Sequence, residues 1–417
     1  MAPKVYIPEE IQHPSWNGQL PDTIQADGLQ FADLDVGSWT VKLEFRIGGQ
    51  LATGSGFHIN VPDCSKAIIL TAGHNLLAVD GTRSTELAVL EPGEGPSGPA
   101  KYIVPDDDIH ISKAFTGEHG KPAVDWGVIL YPRDRFKGSM KDRGGFGYSL
   151  RLGHAQHVKG TLYVSGYQGV TMPGHPITSS GPLVAAYTDW LEYRPKTEQG
   201  ISGSVVWTEY KGHPTVIAIH NSSPDPTKRK TGGSRGTRLT AALLSEVFRF
   251  ANVGQWNVRL RAHGTPKQVK LLPKRGLFLC FPEGFPFARV RLGPGTAVNL
   301  LPAEVTKNTK QYAIEVQGKW ALFNVQKQQV TLSADVREES LFTVMDKSAK
   351  NSKETAVEIV IEGKEKRMQV RVRGEKLKGL EDDCDDEDAE SSEVSMVPYP
   401  SKETFVRFAL EPASAEA

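Results

Sequence analysis

The 417-residue chain is predicted to fold as an all-β protein with two domains. Glycine and proline are abundant, with 41 and 27 residues, and they separate short runs of Val, Ile, Leu and Thr. Such short apolar runs between turn residues are typical of β-strands, and long helical periodicities are scarce. A chain of this length ordinarily forms two domains, of which the first is large enough to bury its own core.

The boundaries follow from changes in composition along the chain. Residues 1–30 are polar and irregular and contain prolines, which indicates an N-terminal arm. The first β domain is expected over residues 31–252, and its end carries apolar residues at helical spacing over 241–250. A linker over residues 253–265 and a second β domain over 266–417 complete the predicted organisation.

Three polar residues stand in segments that are otherwise apolar or glycine-rich. His74 follows an apolar strand, residues 68–70, after a turn of small residues. Asp125 is the single acid in residues 123–130, and Ser202 lies between the two glycines of Gly-Ile-Ser-Gly. Any one of these alone has a structural explanation: a turn, a strand-end histidine or a strand-edge acid. Their order along the chain, His then Asp then Ser, is that of serine proteases built on two β-barrels.

The chemistry of a serine nucleophile explains why these residue types occur together. A serine hydroxyl is a weak nucleophile at neutral pH and needs an adjacent base, for which the imidazole of His74 is suited. A buried carboxylate such as Asp125 fixes the imidazole tautomer and stabilises its protonated form. The main-chain N–H groups of Gly200 and Ser202 are expected to form an oxyanion hole.

Five segments together resemble the chymotrypsin-fold serine peptidases, in particular their glutamyl endopeptidase (V8-like) branch. The resemblance implies a trypsin-like double β-barrel over about residues 35–250, with serine endopeptidase activity at His74, Asp125 and Ser202. Ile201 and Val205 depart from the family pattern at positions that take no part in the chemistry. The matching segments are Gly-Ser-Gly-Phe at 54–57, Thr-Ala-Gly-His at 71–74, Asp-Trp-Gly-Val at 125–128, Gly-Tyr-Gln-Gly at 166–169 and Gly-Ile-Ser-Gly-Ser-Val-Val at 200–206.

The same resemblance implies a pocket for an acidic side chain. In this branch a threonine five residues before the serine and a histidine on the next strand line the primary pocket, which assigns Thr197 and His220 to substrate binding. Both can donate hydrogen bonds to a carboxylate, and a protonated imidazole would add charge. Lys196 is a further candidate for substrate binding, with a solvated loop lysine as the alternative. The expected activity is therefore cleavage after Glu or Asp.

Composition restricts the partners of the chain. The formal net charge is zero, so no overall field attracts nucleic acid or a membrane surface, and protein or peptide substrates are the expected partners. No cofactor and no metal are expected, since His154 and His157 have the spacing of a ligand pair but lack a third ligand.

The three cysteines imply no disulfide framework, and residues 1–8 lack a signal-peptide core. A cytoplasmic location is expected, or a secreted one if a signal was removed; the oligomeric state is left open.

The C-terminal third contains short strand-like runs separated by polar turns, which predicts the second β domain. A weak similarity between residues 319–344 and 403–408 resembles the repeat of a β-trefoil. An acidic segment over residues 381–393 is expected to be disordered because its charges repel and few residues can be buried.

Two other functions remain open: a catalytically idle protease-like protein whose second domain binds a protein or glycan, and an esterase with the same triad.

Overall fold

The fold was analysed in a computed structural model of the full chain. The chain divides into two compact units, residues 1–252 with 305–309, and residues 253–304 with 310–417. The structure describes residues 23–25, 36–61, 64–90, 101–118, 121–133, 144–150, 161–167, 176–195, 197, 200–223, 233–263, 277–280, 289–292, 296–305, 310–324, 329–334, 336, 340–346, 356–361, 366–371, 392–397, 404–405 and 407–412.

The first unit contains a seven-stranded antiparallel sheet in the order β6-β5-β2-β3-β4-β8-β7. Its inward side chains, among them Leu43, Ile69 and Ile129, form one buried cluster. In this sheet β4 lies between β3 and β8, so that residues just after β4 and just before β8 meet at one edge. The strands are β2 (Thr40–Ile47), β3 (Gln50–Ile59), β4 (Lys66–Thr71), β5 (Thr85–Leu90), β6 (Lys101–Ile103), β7 (Ile109–Ile111) and β8 (Gly127–Pro132).

A second antiparallel sheet closes on itself. Its order is β1-β11-β10-β13-β14-β15-β12, and β12 also pairs with β11, so the strands from β11 to β12 form a barrel. Leu162, Val206 and Ile217 belong to its buried core. The strands are β1 (Thr23–Gln25), β10 (Thr161–Gly166), β11 (Ile177–Ala186), β12 (Trp190–Tyr193), β13 (Val205–Tyr210), β14 (His213–Ser222) and β15 (Ser234–Arg238), with the short β9 (Tyr148–Ser149) preceding β10 in the chain.

The predicted all-β fold with two β-barrel sheets is confirmed; the sheet from β6 to β7 is called the first barrel below, and the closed sheet the second barrel. The helix predicted at the end of the first domain is also confirmed. Helix α1 (Ala241–Phe250) buries Leu243, Leu244, Val247 and Phe248, which recur at helical spacing. The N-terminal segment differs in part from the expectation. Strand β1 lies within the range expected to be an irregular arm, and it pairs with β11. None of the described helices is long and apolar enough to cross a membrane.

The second unit is an antiparallel β structure. The described strands pair in the order β27-β25-β24-β28-β16-β17-β18-β26-β22-β21-β20-β19, with β23 beside β24. The β-trefoil arrangement stays a prediction. The strands are β16 (Gln255–His263), β17 (Leu277–Cys280), β18 (Arg289–Leu292), β19 (Val298–Val305), β20 (Lys310–Val316), β21 (Lys319–Asn324), β22 (Gln329–Ser333), β23 (Thr343–Asp346), β24 (Ala356–Ile361), β25 (Lys366–Arg371), β26 (Ser392–Val397), β27 (Thr404–Phe405) and β28 (Arg407–Pro412).

The structure differs from the expected linker over residues 253–265 for most of that range. Strand β16 occupies it and pairs with β28 from Val258 to His263. Val, Leu and Ala alternate there with Asn and Arg, which is the two-residue period of a strand. The acidic segment expected to be disordered, 381–393, lies outside the described residues except for its last two, which begin β26.

Loss of the helix cap is expected to destabilise the first unit. The Thr240 hydroxyl accepts a hydrogen bond from the Leu243 N–H at 3.2 Å, at the start of α1. Thr240→Ala leaves that N–H without its partner and should lower the free energy of unfolding by about 1 kcal/mol. Thr240→Ser keeps the hydroxyl and should lower the free energy of unfolding by only a few tenths of a kcal/mol. Denaturant unfolding followed by circular dichroism measures both; equal losses would contradict the cap.

Candidate active site

His74 is presented at the edge of the first barrel by a tight turn. A 3₁₀ turn, Gly73–Asn75, follows β4 directly. A side chain at position 73 would clash with its surroundings, because a Cβ there would lie 2.9 Å from Phe115 Cδ1 and 3.1 Å from Asp125 Oδ1. The small residue before His74 therefore lets the turn approach the acid that precedes β8.

Asp125 engages His74 with both carboxylate oxygens. Its Oδ2 lies 2.7 Å from His74 Nδ1, and its Oδ1 accepts the His74 main-chain N–H at 2.9 Å. The residue is only 3% exposed, so the pair is shielded from water. Two contacts to one carboxylate fix both the position of the turn and the orientation of the ring.

Residues of the second barrel bind the main chain of Asp125. The Asp125 main-chain oxygen accepts hydrogen bonds from Asn221 Nδ2 at 2.6 Å and from Thr237 Oγ1 at 3.0 Å. Asn221 lies on β14 and Thr237 on β15, and the two side chains also contact each other at 3.1 Å. The acid of the first barrel is thus positioned by residues of the second.

Ser202 lies in a turn that only glycines can form. Gly200 and Gly203 have φ angles of +95° and +85°, in the left-handed region that disfavours residues with a side chain. A Cβ on Gly203 would lie 2.1 Å from the Ser55 main-chain oxygen, so the turn could not pack against β3. The intervening Ile201 is buried and anchors the turn in the core of the second barrel.

The Ser202 turn is attached to the first barrel through its main chain. The Ser202 carbonyl accepts hydrogen bonds from the Ser55 N–H at 2.8 Å and from Asn75 Nδ2 at 3.0 Å. The Ser55 hydroxyl contacts the Gly200 carbonyl at 3.3 Å, and Asn75 also donates to Thr71 Oγ1 at 3.0 Å. Because Asn75 directly follows His74, one turn orients the histidine and binds the serine segment.

The two expected oxyanion donors lie in this turn. Within the described part of the chain, neither the Gly200 nor the Ser202 main-chain N–H has a hydrogen-bond partner. Both are therefore available to a ligand of the site. The Gly203 N–H, in contrast, donates to the His220 carbonyl at 2.8 Å, which ties the turn to β14.

Thr197 and His220 lie on either side of β15. Thr197 Oγ1 is 2.7 Å from Ser223 Oγ and 3.0 Å from Ser234 Oγ, which forms a cluster of three hydroxyls. Ser234 begins β15, and two residues further on Gly236 is the strand partner of His220. Lys196, the third predicted substrate-binding residue, lies outside the described residues.

Burial favours the neutral form of His220. It is 1% exposed, and burial together with the nearby His74 lowers its pKa to about 3. Its Nδ1 lies 2.7 Å from the Tyr193 hydroxyl, whose own pKa burial raises well above the usual value. Burial thus disfavours the protonated imidazole that would add charge, and the role of His220 in substrate binding stays a prediction. A neutral imidazole still carries one N–H that can donate to a ligand.

The sequence indicated His74, Asp125 and Ser202 but not the residues that hydrogen-bond to the site. Two of these residues, Asn75 and Asn221, directly follow the two assigned histidines, and that adjacency is a signal the sequence contained. The others, Tyr193, Ser223 and Ser234, carried no motif. Their roles depend on the pairing of strands from distant parts of the chain.

Comparisons with known proteins agree with the predicted resemblance. The chain is 26% identical over 195 residues to a glutamyl endopeptidase of Bacillus licheniformis, in a match that covers 45% of this chain and 57% of that protein. It thus spans little more than half the length of that relative. The predicted resemblance to chymotrypsin-fold peptidases of the glutamyl endopeptidase branch is confirmed by this match. No family model matches the chain.

Solved structures of proteases also resemble the chain. One, of a Glu endopeptidase in complex with MPD, has a TM-score of 0.41 at 17% identity and covers 56% of this chain and 99% of its own. Another, of a thermostable serine protease from an extremophilic microorganism, has a TM-score of 0.41 at 10% identity and covers 52% and 98%.

Changing Asn75 is expected to disturb the Ser202 turn. Asn75→Asp keeps the shape but replaces the N–H donor by an oxygen that faces the Ser202 carbonyl. Loss of that hydrogen bond and the repulsion of two acceptors should lower the free energy of unfolding by about 1–3 kcal/mol, measured by denaturant unfolding. Asn60→Asp, after β3, introduces the same charge change as a control. Equal stability of the two variants would show that the Asn75 contact does not hold the Ser202 turn.

Proposed function

We propose that this protein is a serine endopeptidase whose nucleophile is Ser202, with His74 as its general base and Asp125 as the orienting acid. The observation that carries the proposal is the double contact of the Asp125 carboxylate with His74, through the ring Nδ1 and the main-chain N–H. In a triad of this kind the acid orients the imidazole through Nδ1, and the other ring nitrogen, Nε2, takes the proton of the serine hydroxyl.

Acylation follows from these roles. Ser202 Oγ attacks the scissile carbonyl carbon while His74 Nε2 takes the hydroxyl proton, and Asp125 stabilises the imidazolium that forms. The carbonyl oxygen becomes an oxyanion that the Gly200 and Ser202 N–H groups bind, a contribution of about 3 kcal/mol for each donor. His74 then gives its proton to the leaving amine, and the C–N bond breaks.

Deacylation repeats the same steps with water. A water molecule gives a proton to His74 Nε2 and attacks the acyl ester, and the oxyanion returns to the Gly200 and Ser202 donors. Collapse of the tetrahedral intermediate breaks the bond to Ser202 Oγ, which recovers its proton from His74. The products are a free carboxylate and the regenerated hydroxyl.

Thr197 and His220 are proposed to select an acidic residue before the cleaved bond. A carboxylate leaves water only where several donors replace its hydration. The hydroxyl cluster of Thr197, Ser223 and Ser234 supplies such donors, and the neutral His220 supplies an N–H. Lys196, next to Thr197 in the chain, would add positive potential. The glutamyl endopeptidase relative supports the same preference.

A substrate panel tests the proposed specificity. Matched peptide amides that end in Glu, Asp, Gln, Arg or Phe before the cleaved bond differ only in the group that enters the pocket. Since a lost hydrogen bond to a charged group costs about 1.5–3 kcal/mol, kcat/KM for Glu should exceed that for Gln at least tenfold. Ser202→Ala should remove cleavage of every member. A preference for Arg or Phe would overturn the pocket assignment and leave the triad standing.

A further inference from the structure

Tyr193 is a buried polar group that the proposed chemistry does not use. It lies at the end of β12, is fully buried, and its hydroxyl lies 2.7 Å from His220 Nδ1. A Cβ on Gly236 would come within 2.8 Å of that hydroxyl, so the glycine of β15 gives it the space it occupies.

The direction of the Tyr193–His220 hydrogen bond follows from the protonation of the phenol. Burial raises the pKa of Tyr193 well above its ordinary value, so the hydroxyl keeps its proton. Among the described residues, His220 Nδ1 is the acceptor within reach of that proton. A buried O–H is rarely left without an acceptor, because an unmade hydrogen bond costs free energy. The phenol therefore donates, and Nδ1 accepts.

An imidazole that accepts at Nδ1 carries its proton at Nε2. We propose that Tyr193 is a specificity-determining positioning residue, which holds His220 as the neutral Nε2–H tautomer and gives the pocket a fixed N–H donor instead of a titrating cation. This inference deepens the proposed acid-selective function and rests on it. Tyr193 acts through His220 and touches no substrate.

The same hydrogen bond opposes protonation of His220. A cationic imidazole would carry a second proton at Nδ1, directly opposite the phenol O–H, so the hydroxyl would have to turn away from its partner. The positive charge of a protonated His74 acts in the same direction. Along the main chain His220 pairs with Ser204, in the turn before β13, and with Gly236 of β15, and neither of these residues titrates.

A fixed neutral donor has a consequence for the pH dependence of specificity. The preference for Glu over Gln should be constant from about pH 6 to 9 and decline only as the substrate carboxylate protonates, near its ordinary pKa of about 4.3. A histidine that titrated freely would instead change the preference near its ordinary pKa of about 6.5. The ratio of the two kcat/KM values cancels the titration of His74, because both substrates need the same base.

The first experiment reads the tautomer directly and needs no substrate. The full chain is labelled with ¹⁵N-histidine, and long-range ¹H–¹⁵N spectra are recorded from pH 5.5 to 8. The His220 pattern is assigned by its loss in His220→Gln. We expect the shifts of a neutral ring protonated at Nε2 throughout this range. An Nδ1–H tautomer, or an imidazolium above pH 5.5, would overturn the inference whatever the enzyme cleaves.

The second experiment removes the hydroxyl with Tyr193→Phe and uses Tyr163→Phe, on β10 of the same barrel, as the control. In Tyr193→Phe the Glu-to-Gln ratio should fall about tenfold, because the ring is no longer held as the Nε2–H tautomer, while cleavage of the Gln substrate changes little. A merely structural role would lower the cleavage of both substrates equally and leave their ratio unchanged, which would contradict the inference. Failure of the proposed function is recognised separately, since wild-type protein would then show no cleavage that depends on Ser202.

Discussion

The candidate site depends on the attachment of the Ser202 turn to the first barrel. Ser202 belongs to the second barrel, whereas His74 and Asp125 belong to the first, so no strand of either barrel alone brings the three together. Two donors from the first barrel, the Ser55 N–H and Asn75 Nδ2, bind the Ser202 carbonyl. In the opposite direction, Asn221 of the second barrel binds the Asp125 carbonyl. These reciprocal main-chain contacts hold the Ser202 turn against the segments that carry His74 and Asp125.

Most of the side chains that bind this part of the site are uncharged, whereas Asp125 is an acid. Asp125 is buried, and a buried carboxylate is tolerated only where hydrogen bonds replace its water. His74 occupies both carboxylate oxygens, so that the acid and the imidazole stabilise each other. The proposed substrate pocket would work on the same principle, with hydroxyl groups and a neutral His220 as hydrogen-bond donors. Such donors would bind a carboxylate by hydrogen bonding more than by charge.

Local patterns in the sequence predicted a large part of this arrangement. The two β-barrel sheets, helix α1 and the positions of His74, Asp125 and Ser202 at strand ends follow from short-range signals: apolar runs, glycine turns and helical spacing. The contacts that assemble the site join residues far apart in the chain, such as Asn75 and Ser202, separated by 127 positions. No local pattern encodes such a pairing. The protonation of His220 likewise depends on burial, and burial at that depth is set by the closed barrel. Strand β16 occupies most of the range expected to be a linker, because that polar, arginine-containing segment also carries the two-residue alternation of a strand.

The central claim is that His74, Asp125 and Ser202 act as one unit, and the rate at which a fluorophosphonate modifies Ser202 tests it most directly. Mass spectrometry of peptides locates the adduct, and the rate is compared between wild type, Asp125→Asn and the exposed control Asp107→Asn. In Asp125→Asn an amide would donate toward His74 Nδ1 and impose the wrong tautomer, so the account predicts a rate lower by about 10⁴-fold, with the control unchanged. An adduct on another residue, or equal rates in wild type and Asp125→Asn, would contradict the account.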